Sequence, residues 1–205
     1  MSEDREGTGI RRARPVDRHA AERAIASFLD ALGFDRTDPH LVDTPARVTE
    51  AWVDTLLGGY GHAPVALLAE RFPAPSSGPI VVRDVPVLAV CPHHLLPLVG
   101  VAHLGYVPHR DIVGFGRLPK LVDACARRLV LQEALAESLV DALVEGLAPK
   151  AAVTIIEARH LCVAVSEPAH ADTRFRTLAH RGEPGEVERL VRVLTASSPG
   201  VAEAR

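Results

Sequence analysis

Two cysteines and three histidines fall in two short runs, Cys91-Pro92-His93-His94 and His160-Leu161-Cys162, and the pair Gln132-Glu133 lies between them in sequence. Thiols and imidazoles together suit a borderline-soft metal such as zinc. Cys91 and His94 are three apart with a proline between them, and a turn there brings both onto one ion. His160 and Cys162 are two apart, so on an extended strand they share a face. The division that follows puts Cys91, His94 and Cys162 on zinc. His93 and His160 are then left as imidazoles able to move protons near neutral pH. Three protein ligands leave a fourth position for water, as in hydrolytic zinc enzymes, whereas structural sites are normally closed by four. A non-catalytic zinc scaffold is the competing reading, but it needs the ligands alone and gives the two spare histidines no task.

These residues must be positioned by the elements around them. Ala20, Ala24, Ile25, Phe28, Leu29 and Leu32 recur with helical period from Asp17 and stop at Gly33. Thr44-Pro45 predicts a second helix start, with Thr44 as cap and the stripe Val48, Trp52, Val53, Leu56 running to Gly58-Gly59. Residues 80–107 are rich in Val and Leu. Their interruptions at Pro86, Pro92, Pro97, Gly100 and Gly105 predict successive short strands, with Cys91 to His94 at a strand end. Gly114-Phe115-Gly116 reads as a turn before a helical stretch over 118–147, which breaks near Leu129 to Leu131 where branched residues cluster. Residues 152–156 and 161–165 read as two more strands, 174–179 as another, and 187–194 as a terminal helix. Helices segregated from strand blocks predict an α+β fold, with helices covering one face of a largely antiparallel sheet. The third cysteine, Cys125, sits on the stripe Leu121, Val122, Ala124, Cys125, Leu129 and reads as a small buried hydrophobe.

At 205 residues, 47% hydrophobic and 24% charged, the chain has the composition of one globular domain over residues 16–205. Met1 to Pro15, almost without apolar residues, reads as a disordered leader. A net charge of −3 with scattered basic residues gives nucleic acid or an anionic membrane no electrostatic footprint. No apolar run reaches membrane-helix length, and three cysteines form no even disulfide framework, so a reducing cytoplasmic setting is expected.

Thr44-Pro45-Ala46-Arg47, Cys91-Pro92-His93-His94, Gly105-Tyr106-Val107-Pro108, Gln132-Glu133 and Glu157-Ala158-Arg159-His160-Leu161-Cys162 occur in that order. Together they resemble the GTP cyclohydrolase I family, over a span from about Asp17 to Val165. The resemblance implies a tunnelling fold, with an antiparallel sheet covered by helices and subunits closed into a toroidal homo-oligomer, usually a decamer, with active sites between subunits. It implies zinc-dependent opening of the guanine imidazole ring at C8 with loss of formate, leading to dihydroneopterin triphosphate. His160 would protonate the purine nitrogen, His93 would assist proton transfer, and Glu133 with Gln132 beside it would recognise guanine. Arg47, Arg117 and Lys120 would hold the phosphates.

The departures lie at the phosphate end. Glu50 stands where the family has Lys, Gly116-Arg117 where it has Ser-Lys, Lys120 where it has Arg, and Ser166-Glu167 where it has Arg-Gly. Arg174 and Arg176 are the nearby cations able to compensate. A second expectation therefore stands beside the first, an enzyme of the same fold acting on a purine nucleotide or nucleoside with fewer phosphates and stopping at ring opening.

Overall fold

The computed structural model describes residues 10–196. Helix α1 (Arg18–Ala31) is capped by Asp17, whose carboxylate accepts the Ala20 N–H at 2.9 Å, and the chain turns away where Gly33 adopts φ +81°. Asp43, not Thr44, occupies the N-cap position of helix α2 (Thr44–Glu50), and its side chain makes no capping bond. Thr44 and Pro45 instead fill its first positions, where proline's missing N–H leaves no bond unmade. A π-helical turn, Ala51–Leu56, continues the second helix. The apolar stripe of α1 reaches no core, since none of its residues is buried and Phe28 and Leu32 are 60% and 57% exposed.

A short strand β1 (Arg71–Pro73) precedes the long hairpin strands β2 (Ile80–Val90) and β3 (Pro97–Val107). Strand β4 (Asp111–Val113) pairs antiparallel with β1. Helices α3 (Arg117–Ala126) and α4 (Gln132–Leu147) follow, broken between 126 and 132 as the sequence predicts. Strand β5 (Ala151–His160), the short helix α5 (Leu161–Ser166), strand β6 (Phe175–Gly182) and helix α6 (Pro184–Thr195) complete the described chain. The main sheet runs β2-β3-β5-β6 and is antiparallel throughout, so the fold is α+β.

Helices cover both faces of that sheet, where the sequence predicts one. The alternation along β5 shows how. Ala152, Ile156 and Ala158 join Leu121, Leu135, Leu139 and Leu143 in the main core under α3 and α4. Ala151, Val153 and Ile155 point the other way and form a smaller core with Val187, Leu190 and Leu194 of α6. A strand buried on both faces is apolar at successive positions, and that hides its parity in the sequence.

Two further expectations are corrected. Pro86, Gly100 and Gly105 lie inside the long strands and do not end them. Pro86 is tolerated because β2 is an edge of the sheet. Gly100 sits where β3 and β5 approach closely, since a Cβ there would fall 2.0 Å from the Glu157 carbonyl oxygen. Residues 161–165 form helix α5, not a strand. The β5 ladder stops at Leu98↔His160 because the next partner in register is Pro97, which has no N–H to give, and β6 pairs no further than Ala158. With no neighbour on either side, the segment coils and closes with Glu167 N–H donating to Val163 C=O at 2.7 Å.

Residues 1–9 of the predicted leader lie outside the described residues. Ile10 accepts a hydrogen bond from the Tyr60 hydroxyl at 2.5 Å, and the Arg12 guanidinium stacks 4.6 Å from the centre of the Tyr60 ring. Among the described residues no helix is long and apolar enough to cross a membrane.

Candidate active site

The site begins where β2 leaves the sheet. Val90 forms a parallel bridge with Leu129: its N–H donates to Arg128 C=O at 3.2 Å, and Val130 N–H donates to Val90 C=O at 3.1 Å. This bridge joins the end of β2 to the turn that precedes α4. Cys91 then opens a tight loop closed by two 2.9 Å bonds, Leu95 N–H to Cys91 C=O and Cys91 N–H to Leu96 C=O, with Leu95 at φ +54°. The loop brings His94 Nδ1 to 3.8 Å from Cys91 Sγ. Helix α5 supplies the third group from its first turn. The donor atoms of Cys91, His94 and Cys162 lie within 4.8 Å of one another.

Donor chemistry and spacing both fit zinc. Thiols and imidazoles are usual zinc ligands, and Zn–S bonds of about 2.3 Å with Zn–N bonds of about 2.0 to 2.1 Å put a tetrahedral sulfur and nitrogen roughly 3.5 Å apart. The 3.8 Å between Cys91 Sγ and His94 Nδ1 is within a few tenths of an ångström of that. Burial, then the adjacent Cys91, pushes the Cys162 thiol up. A bound cation is what favours the thiolate at such a position. Cys125 takes no part; burial raises its thiol to about 12, as expected of core filler.

His160 and Cys162 belong to different elements, the last residue of β5 and the first turn of α5, so the shared strand face predicted for them does not exist. His160 Nε2 lies 2.7 Å from Gln132 Oε1, and the Phe175 ring packs edge-on at 5.1 Å. Burial disfavours the His160 imidazolium, and the Glu133 carboxylate acts in the opposite direction. Gln132, expected beside a substrate-recognising carboxylate, is 2% exposed, and its Nε2 donates to Ile156 C=O, Phe175 C=O and Thr177 Oγ1 at 3.0 to 3.2 Å. Glu133, one residue on, is exposed in the first turn of α4, and His93 is exposed beside His94.

The basic residues are spread along the chain and mostly paired. Arg47 Nη2 meets Asp43 at 3.0 Å, Arg117 is ion-paired with Glu70, and Arg176 meets Glu157 at 3.2 Å across the β5–β6 register. Lys120 and Arg174 are exposed. Glu50 is exposed at the end of α2, where its charge acts on Arg18.

The family profile described as GTP cyclohydrolase I matches residues 21–196. The chain belongs to the GTP cyclohydrolase I family. It is 38% identical over 175 residues to GTP cyclohydrolase 1 of Ralstonia nicotianae, covering 85% of this chain and 84% of that one. It is 37% identical over 174 residues to GTP cyclohydrolase 1 of Chromobacterium violaceum, with coverages of 85% and 84%. The match to GTP cyclohydrolase 1 of Mycobacterium leprae is 36% over 180 residues, 87% of each chain. Membership makes this chain an enzyme of hydrolase type, which sets the scaffold reading aside. The GTP cyclohydrolase I motifs pointed to the three converging donors but not to Glu70, Phe175 or Thr177. These three act only through pairings with distant elements, and no local pattern announces them.

Proposed function

We propose that the chain hydrolyses the imidazole ring of GTP at C8, releases formate and proceeds to dihydroneopterin triphosphate. The observation carrying this reading is the convergence of Cys91, His94 and Cys162 within 4.8 Å in a member of this family. Held by those three residues, zinc would supply the Lewis acidity that makes water nucleophilic near neutral pH. His160 donates a proton to the purine nitrogen, and exposed His93 exchanges protons with solvent. Glu133 accepts parallel hydrogen bonds from the guanine ring N–H and exocyclic amine. Arg47, Arg117 and Lys120 meet the phosphates.

We propose also that the subunits close into a toroidal homo-oligomer of the tunnelling fold, a decamer by resemblance. The uncovered stripe of α1 and the two sheet edges at β2 and β6 support assembly, since a lone protomer leaves both exposed. Light scattering at micromolar concentration is expected to give a mass several times that of the chain. A fully active monomer would contradict an active site shared between subunits.

A second reading, fewer phosphates, is favoured by the pairing of Arg47 with Asp43 and of Arg117 with Glu70. Glu50 puts a carboxylate where the family has Lys, and Ser166-Glu167, where it has Arg-Gly, removes one guanidinium and adds a carboxylate beside it. Each charged contact is worth about 1.5 to 3 kcal/mol, or roughly ten- to a hundredfold in kcat/KM. GDP, GMP or guanosine is therefore expected to compete unusually well with GTP. The measurement is kcat/KM for formate release and pterin fluorescence across the four, repeated in Glu50→Lys and Ser166→Arg, each of which should shift the preference toward GTP. A strong wild-type preference for GTP that neither substitution moves would sink this reading and point to Arg174 and Arg176 instead.

A further inference from the structure

We propose that Gln132 is a positioning residue that holds His160 with its proton on Nε2, so that proton exchange with the substrate takes place at Nδ1. This rests on the reading of His160 as the acid, and it follows from which groups can donate. A carboxamide offers one accepting oxygen and one donating nitrogen, and neighbours decide which end is which. Two neighbours of Gln132 are the backbone carbonyls of Ile156 and Phe175, at 3.1 and 3.0 Å. Carbonyls only accept, so the amide nitrogen must face them. The amide oxygen is then turned to His160 Nε2 at 2.7 Å, and it too only accepts. The hydrogen of that bond has to come from the imidazole.

Three features make the arrangement stiff. Gln132 is 2% exposed, so no water competes for its oxygen. Its nitrogen is tied to both β5 and β6, which are themselves in register at Glu157↔Arg176. Phe175 acts twice, its carbonyl holding the amide and its ring packing edge-on against the imidazole, and a flip of that imidazole would put carbon where Nε2 now meets the Gln132 oxygen. Among the described residues His160 Nδ1 has no hydrogen-bond partner, which leaves it for the substrate. In the proton-transfer step the Nδ1–H bond of the imidazolium breaks as an N–H bond forms on the purine. The ring left behind is neutral with its hydrogen on Nε2, already the favoured tautomer, and solvent returns the proton to Nδ1.

The test uses full-length, zinc-loaded enzyme with 15N-labelled histidine. Nitrogen spectra are recorded at a pH where His160 is neutral, and its signals are identified by their loss in His160→Asn. The expected wild-type spectrum has hydrogen on Nε2 and none on Nδ1. In Gln132→Met, of similar length but without the amide, the two tautomers should mix. Formate release should fall about 10- to 100-fold with zinc retained, less than the roughly 10²- to 10⁴-fold cost of losing a general acid outright. Hydrogen on Nδ1 in the wild type would overturn the proposal, as would Gln132→Met with unchanged turnover and an unchanged spectrum. Should Gln132→Met fail to assemble, the wild-type spectrum still decides. An enzyme with hydrogen on Nε2 that releases no formate would support the hold of Gln132 on the ring and remove the hydrolase reading instead.

Discussion

Cys162→Ala is expected to lose zinc and turnover together. The substitution leaves Cys91 and His94 as a two-donor remnant on a single loop, with nothing from α5 to close it. Structural zinc sites gain about 10 to 16 kcal/mol from four ligands, or roughly 2.5 to 4 kcal/mol each, so one lost thiolate weakens binding about 10²- to 10³-fold. Metal content after dialysis against a weak chelator should fall from about one zinc per chain toward zero, with formate release falling in parallel. Full zinc occupancy in Cys162→Ala would remove it from the ligand set.

His160→Ala should separate what Cys162→Ala joins. His160 lies outside the three-donor group and is tied to Gln132, so zinc content should stay near that of the wild type. Turnover should fall about 10²- to 10⁴-fold, the usual contribution of a general acid. The variant also leaves the buried Gln132 oxygen unpaired, at a cost of about 1 to 3 kcal/mol, so a Tm lower by several degrees is expected alongside. If this variant empties the metal site, the assignment of His160 to proton transfer is wrong.

The three-donor group was legible because its residue types stand in two short runs. Cys91 and His94 are three residues apart, so spacing nominated them, whereas Cys162 was nominated by residue type, its predicted strand face being absent. The surroundings of His160 were not legible, because Gln132 reaches it across 28 residues through the packing of α4 on β5 and β6. In the sequence Gln132-Glu133 looks like one polar pair, yet the helix buries the first and exposes the second. The segment 161–165 misled for a related reason. Its valines favour a strand, but a strand needs neighbours, and Pro97 ends the supply on one side while β6 ends it on the other. Pro86 and Gly100 misled in the opposite sense, since edge position and close strand approach make both acceptable inside a sheet. The pairing of Arg117 with Glu70 joins residues 47 apart and had no signature at all.

The bridge between Val90 and Leu129 bears on how the enzyme fails when heated. Cys91 follows Val90 directly, and Gln132 lies three residues beyond Leu129, so one pair of backbone hydrogen bonds anchors both the loop carrying two of the converging donors and the helix start that holds His160, the proposed acid. Local opening at that point releases both together. On the proposed roles, thermal inactivation is expected to be a single cooperative loss in which metal retention and proton delivery disappear over the same temperature range.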